Sequence, residues 1–135
     1  MRSLKDKVVV IAGATGGVGS ILVDAFLAEG AYIAAIGHRN VLPDRNRVLS
    51  IKADLTADSH TRMAANTVSA SLGAIDVLVN AVGVVKNDKV DRMAVEDFRA
   101  VMDTNVTSAF LMARAVIPYM KGGNIVNIGS VVGDL

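Results

Sequence analysis

The segment VVVIAGATGGVGS, from Val8 to Ser20, is the feature that most constrains how this chain can fold. Its first part, Val8–Ala12, is continuously apolar, as is typical of strands that are buried on both faces of a sheet. Glycines follow at once, and from Val18 to Phe26 the apolar residues recur at helical spacing. The segment therefore predicts a buried strand, a tight glycine-rich turn and the start of a helix.

The glycine-rich turn has the spacing of a loop that binds phosphate. Gly13, Gly17 and Gly19 give G-x-x-x-G-x-G, and Gly16 adds an overlapping G-x-x-G-x-x-G. Because glycine has no Cβ, backbone N–H groups can approach a pyrophosphate, and the helix N-terminus adds partial positive charge. The same glycines are also compatible with a tight turn that binds nothing. No Gly-Lys-Ser/Thr sequence follows, which excludes a nucleoside-triphosphate P-loop.

Short apolar runs and segments of helical periodicity alternate along the rest of the chain. A helix ending near Glu29–Ala31 follows the glycines, a second is predicted over 58–72 before Gly73, and a third runs from Asn105 to Met120. The predicted strands are Val8–Ala12, Tyr32–Ile36, Val48–Ala53, Ile75–Val79 and Ile125–Ile128.

Three segments lack a regular pattern. Pro118 predicts a kink or the end of the third helix, and the KGG sequence at 121–123 predicts a break before the last strand. The segment GHRNVLPDRNR, between the second and third strands, is too short for a helical crossover and predicts an extended or single-turn connection. Alternating strands and helices indicate a single α/β domain, with a parallel sheet covered by helices on both faces.

Composition excludes several classes of function. The chain of 135 residues is 52% hydrophobic but only 4% aromatic, so its core must be aliphatic. It has no cysteine, which excludes disulfides, thiolate metal sites and a cysteine nucleophile, and which favours a cytoplasmic location. The net charge of +1 predicts no nucleic-acid partner, and no apolar run or basic cluster predicts a membrane partner. His38 and His60 are the only histidines, and we predict no metal site.

Five segments, in this order, resemble the landmarks of the classical short-chain dehydrogenase/reductase family, and the resemblance covers essentially the whole chain. They are the glycine turn, ADL at Ala53–Leu55, NAVG at Asn80–Gly83, the helix that begins at Asn105, and IVNIGSVVG at Ile125–Gly133. The resemblance implies a doubly wound Rossmann sheet with strand order 3-2-1-4-5, forming one NAD(P)-binding domain over residues 1–135. Ala12 and Val82 depart from the family's usual threonine and alanine.

The resemblance also assigns candidate site residues. Asp54 would meet the adenine ring, Asn105 would support a proton relay, and Ser130 would be the catalytic serine that positions the carbonyl oxygen. The cofactor-binding residues that it implies are Gly13, Thr15, Gly16, Gly17, Val18, Gly19, His38, Arg39, Asp54, Leu55, Asn80, Ala81 and Gly83.

The end of the second strand bears on the choice of cofactor. No acidic residue is there to bind a ribose hydroxyl. His38 takes the place of the aspartate of NAD-preferring relatives, and Arg39 stands where many NADPH-preferring relatives carry arginine. A guanidinium suits the 2′-phosphate, so NADP(H) is predicted, with NAD(H) as the alternative. The glycine turn has no basic residue, unlike that of many NADP-preferring relatives. The alternative interpretation of Arg39 is a solvated surface residue.

The family transfers hydride between nicotinamide and a small carbonyl or alcohol substrate, using a tyrosine and a lysine in Tyr-x-x-x-Lys. That motif should follow Ser130 and is absent before Leu135, so we expect the chain to be C-terminally truncated and, as given, inactive. The helix from Asn105 resembles the family's interface helix, and this resemblance implies a homo-oligomer, with simple packing in the core as the alternative. The alternatives are a non-catalytic dinucleotide-binding or interaction module, a nucleotide-sugar epimerase, and a flavodoxin-like domain.

Overall fold

A computed structural model describes residues 3–130 as a five-stranded sheet with helices on both faces. All neighbouring strands are parallel, and their order in the sheet, numbered along the chain, is 3-2-1-4-5, which confirms the predicted doubly wound α/β fold. Within this part of the chain no helix is both long and apolar enough to cross a membrane. The strands are β1 (Val8–Ala12), β2 (Tyr32–Gly37), β3 (Val48–Lys52), β4 (Ile75–Asn80) and β5 (Met120–Asn127). The α-helices are α1 (Gly17–Ala28), α2 (Asp58–Leu72), α3 (Val95–Met102) and α4 (Ser108–Val116).

The central strand β1 explains why the sheet is covered on both sides. Every residue of β1 is buried, and the strand pairs with β2 on one edge and β4 on the other. Val8 and Val10 pack in one core with residues of α2 and α4. Val9 and Ile11 pack in a second core with Val23 and other residues of α1. Since successive side chains of a strand point to opposite faces, five consecutive apolar residues serve two cores at once.

The start of β5 differs from the prediction. The KGG sequence does not break the chain, because Lys121, Gly122 and Gly123 all lie within β5. Both glycines have positive φ, 81° and 124°, and the pairing with β4 shifts register at this point. A Cβ on Gly123 would lie 2.2 Å from the carbonyl oxygen of Asp76. A side chain at Gly123 would therefore clash, and both glycines adopt a backbone conformation that other residues rarely take, which lets the strand continue through this irregularity.

The predicted helix from Asn105 to Met120 is also different in the structure. Helical backbone begins earlier, at Val95, and passes through a π-helical turn, Asp103–Thr107, between α3 and α4. A 3₁₀ turn, Ile117–Tyr119, contains Pro118 and leads directly into β5. The other predicted elements agree to within one residue at each end, and the segment before β3 contains no helix, as expected, but bends after β2 and turns just before β3.

Candidate functional site

A cavity of about 350 Å³ opens at the carboxyl edge of the sheet. It lies where β1 has β2 on one side and β4 on the other, which is the point where the strand order reverses. Ligands of doubly wound proteins bind at such switch points. The residues that line the cavity are Gly13, Thr15, Gly16, Ile36, His38, Ala53, Asp54, Leu55, Thr56, Ala81, Val82, Gly83, Thr104 and Ser108.

The glycine turn is fixed to the strands on both sides of it. The N–H groups of Gly13 and Ala14 both donate to the carbonyl oxygen of Ile36, at 3.0 Å. Gly13 has a φ of 82°, and a Cβ there would lie 2.8 Å from the carbonyl oxygen of Ala81. The turn therefore passes so close to the segment after β4 that only glycine fits.

The N-terminus of α1 follows Gly16, which lines the cavity, and its first two residues, Gly17 and Val18, are exposed although they are not among the lining residues. Gly16 caps the helix without any side-chain hydrogen bond, and Ser20 donates the first helical bond, back to Gly16. The N–H groups of Gly17, Val18 and Gly19 consequently have no acceptor within the helix. A Cβ on Gly17 would meet nothing within 4 Å, so the space beside this turn is open. An open helix end with unpaired N–H groups and glycine at its first position fits a phosphate group.

Gly19 has a different role from Gly17, although both belong to the same helical turn. A Cβ on Gly19 would lie 2.0 Å from the carbonyl oxygen of Gly13 and 2.9 Å from the Cα of Ala14. The missing side chain thus allows α1 to pack directly on the glycine turn. Val18, between the two glycines, is 53% exposed. Its backbone N–H belongs to the phosphate-binding cradle, by which we mean the glycine turn and the first turn of α1, Gly13–Gly19.

Asp54 follows β3 and holds the wall of the cavity in place. Its carboxylate accepts hydrogen bonds from the hydroxyl of Thr56 at 2.7 Å and from the Thr56 N–H at 3.0 Å. The hydroxyl bond is the largest cause of a lowered pKa of Asp54, followed by the N–H bond, with smaller contributions from His38 and His60. Leu55 is 7% exposed and joins the core beneath the cavity.

Arg39 lies outside this first cavity, at a second one. A neighbouring space of about 510 Å³ is lined by His38, Arg39, Lys52, Ala53, Asp54 and His60. The Nδ1 atom of His60 accepts a hydrogen bond from the backbone N–H of Asp54, at 3.1 Å, which orients the ring beside Asp54. Sequence analysis did not single out Lys52 or His60 as binding residues. The sequence signal for Lys52 is its place two residues before Asp54, at the end of the strand that neighbours β2, which Arg39 follows.

Asn80 supports the site from below and does not line the cavity. It is 6% exposed at the end of β4, and its Nδ2 donates to the Oδ1 of Asn127, the paired residue of β5, at 2.9 Å. Within the described residues, the Oδ1 of Asn80 has no hydrogen-bond partner. Ala81 and Gly83, which follow, do line the cavity.

Asn105 holds the segment that follows β4. Its Oδ1 accepts a hydrogen bond from the Val84 N–H, and its Nδ2 donates to the Val84 carbonyl oxygen, both at 2.8 Å. The residue sits in the π-helical turn and not inside a regular α-helix. Thr104 and Ser108, on either side of it, reach the cavity although sequence analysis did not select them. The Ser108 hydroxyl is buried and donates to the carbonyl oxygen of Thr104.

Ser130 is the last described residue and lies three residues beyond the end of β5, the strand that neighbours β4 at the edge of the sheet. It is not among the residues that line either cavity. Residues 131–133 of the IVNIGSVVG segment lie outside the described part of the chain. Over residues 3–130 no three His, Cys, Asp or Glu side chains are grouped so that they could hold a metal ion.

The arrangement suits an elongated ligand with anionic and apolar parts. A Cβ-free cradle with unpaired N–H groups fits a diphosphate. The wall of Ile36, Ala53 and Leu55, with the oriented Asp54 carboxylate beside it, fits a flat heterocycle with a hydrogen-bond donor at its edge. Neither tyrosine nor lysine lines the first cavity, so these described residues can bind and orient a ligand but offer no phenol–ammonium pair for proton transfer.

Comparison with known proteins identifies the family to which the chain is similar. The family model described as short chain dehydrogenase matches residues 7–135. An uncharacterized oxidoreductase of Schizosaccharomyces pombe is 32% identical over 98% of this chain and 53% of its own length. A 3-oxoacyl-acyl-carrier-protein reductase of Thermotoga maritima is 34% identical over 96% of this chain and 58% of its own.

The solved structures extend this similarity to three dimensions. A doubly substituted Serratia marcescens short-chain dehydrogenase/reductase superposes with a TM-score of 0.91 at 28% identity, over 99% of this chain and 62% of that one. The chain spans little more than half the length of the curated relatives it matches. With the glycine cradle at the switch point of a 3-2-1-4-5 sheet and a family match over almost every residue, the chain belongs to the short-chain dehydrogenase family.

Proposed function

We propose that this protein is an NADP(H)-dependent oxidoreductase that transfers hydride between nicotinamide and a small carbonyl or alcohol substrate. The observation that carries the proposal is the Cβ-free cradle formed by the glycine turn and the open N-terminus of α1. Its position beside a cavity at the switch point supports a dinucleotide as the ligand. Relatives named as oxidoreductases, reductases and dehydrogenases support the class of reaction.

When bound, the nicotinamide supplies the hydride chemistry, and this chain's residues supply binding and orientation. The N–H groups of the first turn of α1, Gly17–Gly19, would donate to the diphosphate, which the helix N-terminus also favours electrostatically. The Asp54 carboxylate would accept a hydrogen bond from the adenine amino group, and Leu55 would pack beside the ring. Ala81 and Gly83, next to the glycine turn, would form the wall nearer to the reacting end.

The two proposed catalytic residues act in different ways. Ser130 is proposed to donate a hydrogen bond to the carbonyl oxygen of the substrate. Asn105 is proposed to support proton transfer by positioning the segment at Val84, because both polar atoms of its side chain bond to the Val84 backbone. The resemblance assigns proton transfer itself to a Tyr-x-x-x-Lys pair, which residues 1–135 do not contain after Ser130. A polypeptide limited to these residues is therefore proposed to bind the dinucleotide without turnover.

The preference for NADP(H) is proposed on the basis of Arg39. Arg39 lines the second cavity together with His38 and Asp54, which also line the first. No carboxylate stands directly after β2, where it could bind a ribose hydroxyl. A guanidinium can pair with both oxygens of a phosphate, whereas it would gain little from a neutral hydroxyl pair.

Calorimetric dissociation constants for NADPH and NADH test the proposal. We expect the protein to bind NADPH about tenfold more tightly than NADH, as one charge-assisted contact would give. Arg39→Ala should remove most of that difference. The matched control is Arg92→Ala, in an exposed turn away from both cavities, which should leave both constants unchanged. Equal affinities for the two cofactors in the unmodified protein would overturn the preference, and no binding of either would overturn the function.

A homo-oligomer is part of the proposal, as is a cytoplasmic location, which the absence of cysteine favours. Large apolar side chains recur on the outer surface of the helices that carry Asn105, and each is more than two-fifths exposed. Contiguous exposed apolar surface of this kind marks an interaction site. The residues of this apolar stripe are Val95, Phe98, Met102, Val106, Phe110 and Ile117.

A further inference from the structure

We infer, on the basis of the proposed function, that Lys52 is a second specificity-determining cation for the 2′-phosphate of NADPH. Lys52, at the end of β3, would act together with Arg39, which follows the neighbouring strand β2. The glycine turn contains no basic residue that could contribute to this subsite. The second cavity places a lysine from β3 there instead.

The backbone brings the two cations to the same place. Lys52 is the last residue of β3 and is paired in register with Gly37, the last residue of β2. In-register residues of parallel strands lie on the same face of the sheet. A Cβ on Gly37 would lie 2.0 Å from the carbonyl oxygen of Asn40, so the segment 38–40 folds back over Gly37 on that face. Arg39, in the middle of this segment, consequently lines the same cavity as Lys52.

The charges at this cavity are not balanced by ion pairs. Within residues 3–130 neither Arg39 nor Lys52 forms an ion pair, and both are exposed. By contrast, Arg45, Arg47 and Arg114 are each paired with an aspartate. Two cations beside one cavity repel each other until an anion lies between them.

The other groups at the cavity are compatible with an anion. Asp54 is the one carboxylate among the described residues lining this cavity, and its Oδ1 accepts hydrogen bonds from both the hydroxyl and the N–H of Thr56. His60 accepts the Asp54 N–H at Nδ1, so its neutral ring carries the proton on Nε2 and has a donor left. His38 lies between the two cavities and lines both. A phosphate monoester, with its charge of about −1.5 to −2 near neutral pH, matches this set of donors.

The decisive experiment compares NADPH and NADH binding to Lys52→Gln and to the unmodified protein by calorimetry at low salt. Lys52→Gln should weaken NADPH binding about fivefold, the effect of one exposed charge-assisted contact, and should leave NADH binding unchanged. Raising the salt concentration should reduce the NADPH difference between the two proteins, because the contact is exposed to solvent. The melting temperature without ligand should not fall, since Lys52 has no ionic partner to lose.

Lys121→Gln is the matched control, because Lys121 is an exposed lysine in β5, at the opposite edge of the sheet from β3. It should leave both dissociation constants unchanged. If Lys52→Gln weakens the binding of NADPH and NADH equally, or changes neither, Lys52 does not recognise the 2′-phosphate. The proposed preference for NADP(H) is then still tested independently by Arg39→Ala. If the unmodified protein binds NADH as tightly as NADPH, both proposals fail together.

Discussion

Gly17 and Gly19 are two residues apart, but their missing side chains serve different purposes. At Gly19 a Cβ would collide with the backbone of Gly13, whereas at Gly17 it would enter open space beside the helix N-terminus. The geometry thus separates a requirement of packing from one of binding within a single helical turn. A motif written as G-x-x-x-G-x-G does not distinguish them.

Gly19→Ala should lower the free energy of unfolding by about 2 kcal/mol or more, as expected when a methyl group is forced against backbone. Gly17→Ala is the matched variant and should leave stability unchanged or raise it by about 0.5 kcal/mol, because alanine favours the helix. Urea denaturation of the two variants measures both values. Gly17→Ala should nevertheless weaken dinucleotide binding, and equal loss of stability in the two variants would contradict the assigned roles.

Asp54 gives the site a pH dependence whose sign follows from its hydrogen bonds. Its pKa is below the ordinary value of 3.8, mainly because the Thr56 hydroxyl stabilises the carboxylate. The carboxylate therefore stabilises the folded protein at pH values above that ordinary pKa. This contribution to the free energy of unfolding is lost as the pH falls through the lower pKa of the folded state.

Thr56→Val should raise the pKa of Asp54 towards 3.8, since it removes the largest cause of the shift and keeps the backbone N–H bond. Carboxyl-carbon NMR titration of Asp54 measures this directly. Thr67→Val is the control, because that hydroxyl donates to the carbonyl oxygen of Met63, on the exposed side of α2. An unchanged Asp54 titration in Thr56→Val would show that the hydroxyl does not hold the carboxylate.

At the scale of elements, the π-helical turn is the part of the site that apolar periodicity could not predict. The turn places Asn105 against the Val84 backbone and brings Thr104 and Ser108 to the cavity. Helical periodicity predicts which residues face a core, but a π turn changes the spacing locally and depends on tertiary partners. The strand-to-glycine-to-helix order of residues 8–28 was predictable because each local signal there agrees with the fold.

The start of β5 also differs from the prediction, for a related reason. Glycines usually end a strand, so Gly122 and Gly123 predict a break before the last strand. They are favoured in the strand because Gly123 approaches the backbone of Asp76 too closely for a Cβ, and because both positions have positive φ angles. The residues missed at the site, such as Lys52 and Thr104, become neighbours of the predicted ones only through strand register and helix packing.

Asn105→Ala should release the segment after β4. Losing both hydrogen bonds to Val84 should cost about 1 kcal/mol of stability, because Val84 is partly exposed and water can replace the amide. Hydrogen exchange at the Val84 amide should accelerate well beyond what that global loss explains. Val106→Ala, one residue further along the same turn and exposed, is the control and should leave the Val84 amide protected. Unchanged exchange in Asn105→Ala would contradict the positioning role.

At the scale of the whole molecule, the apolar stripe predicts self-association. Phe110 is 60% exposed in α4, and Arg114 lies over its ring at 5.4 Å. Phe110→Lys should convert the proposed oligomer to a smaller species in sedimentation velocity, because burying a second cation beside Arg114 at an interface is strongly unfavourable. Val85→Lys, at an exposed position outside the stripe, should leave the sedimentation coefficient unchanged. A monomeric unmodified protein would contradict this prediction.

The position of β1 at the middle of the sheet sets an order of events during protein synthesis. β1 leaves the ribosome first among the strands, but the Asp76 carboxylate that binds the N–H of Val8 lies 68 residues later in the chain. At about 5–20 residues per second, that interval lasts roughly 3–14 s. During this time β1 can pair with β2 only, and its other edge is exposed as an apolar strand. The nascent chain is therefore most susceptible to misassembly, and most dependent on chaperones, before β4 emerges.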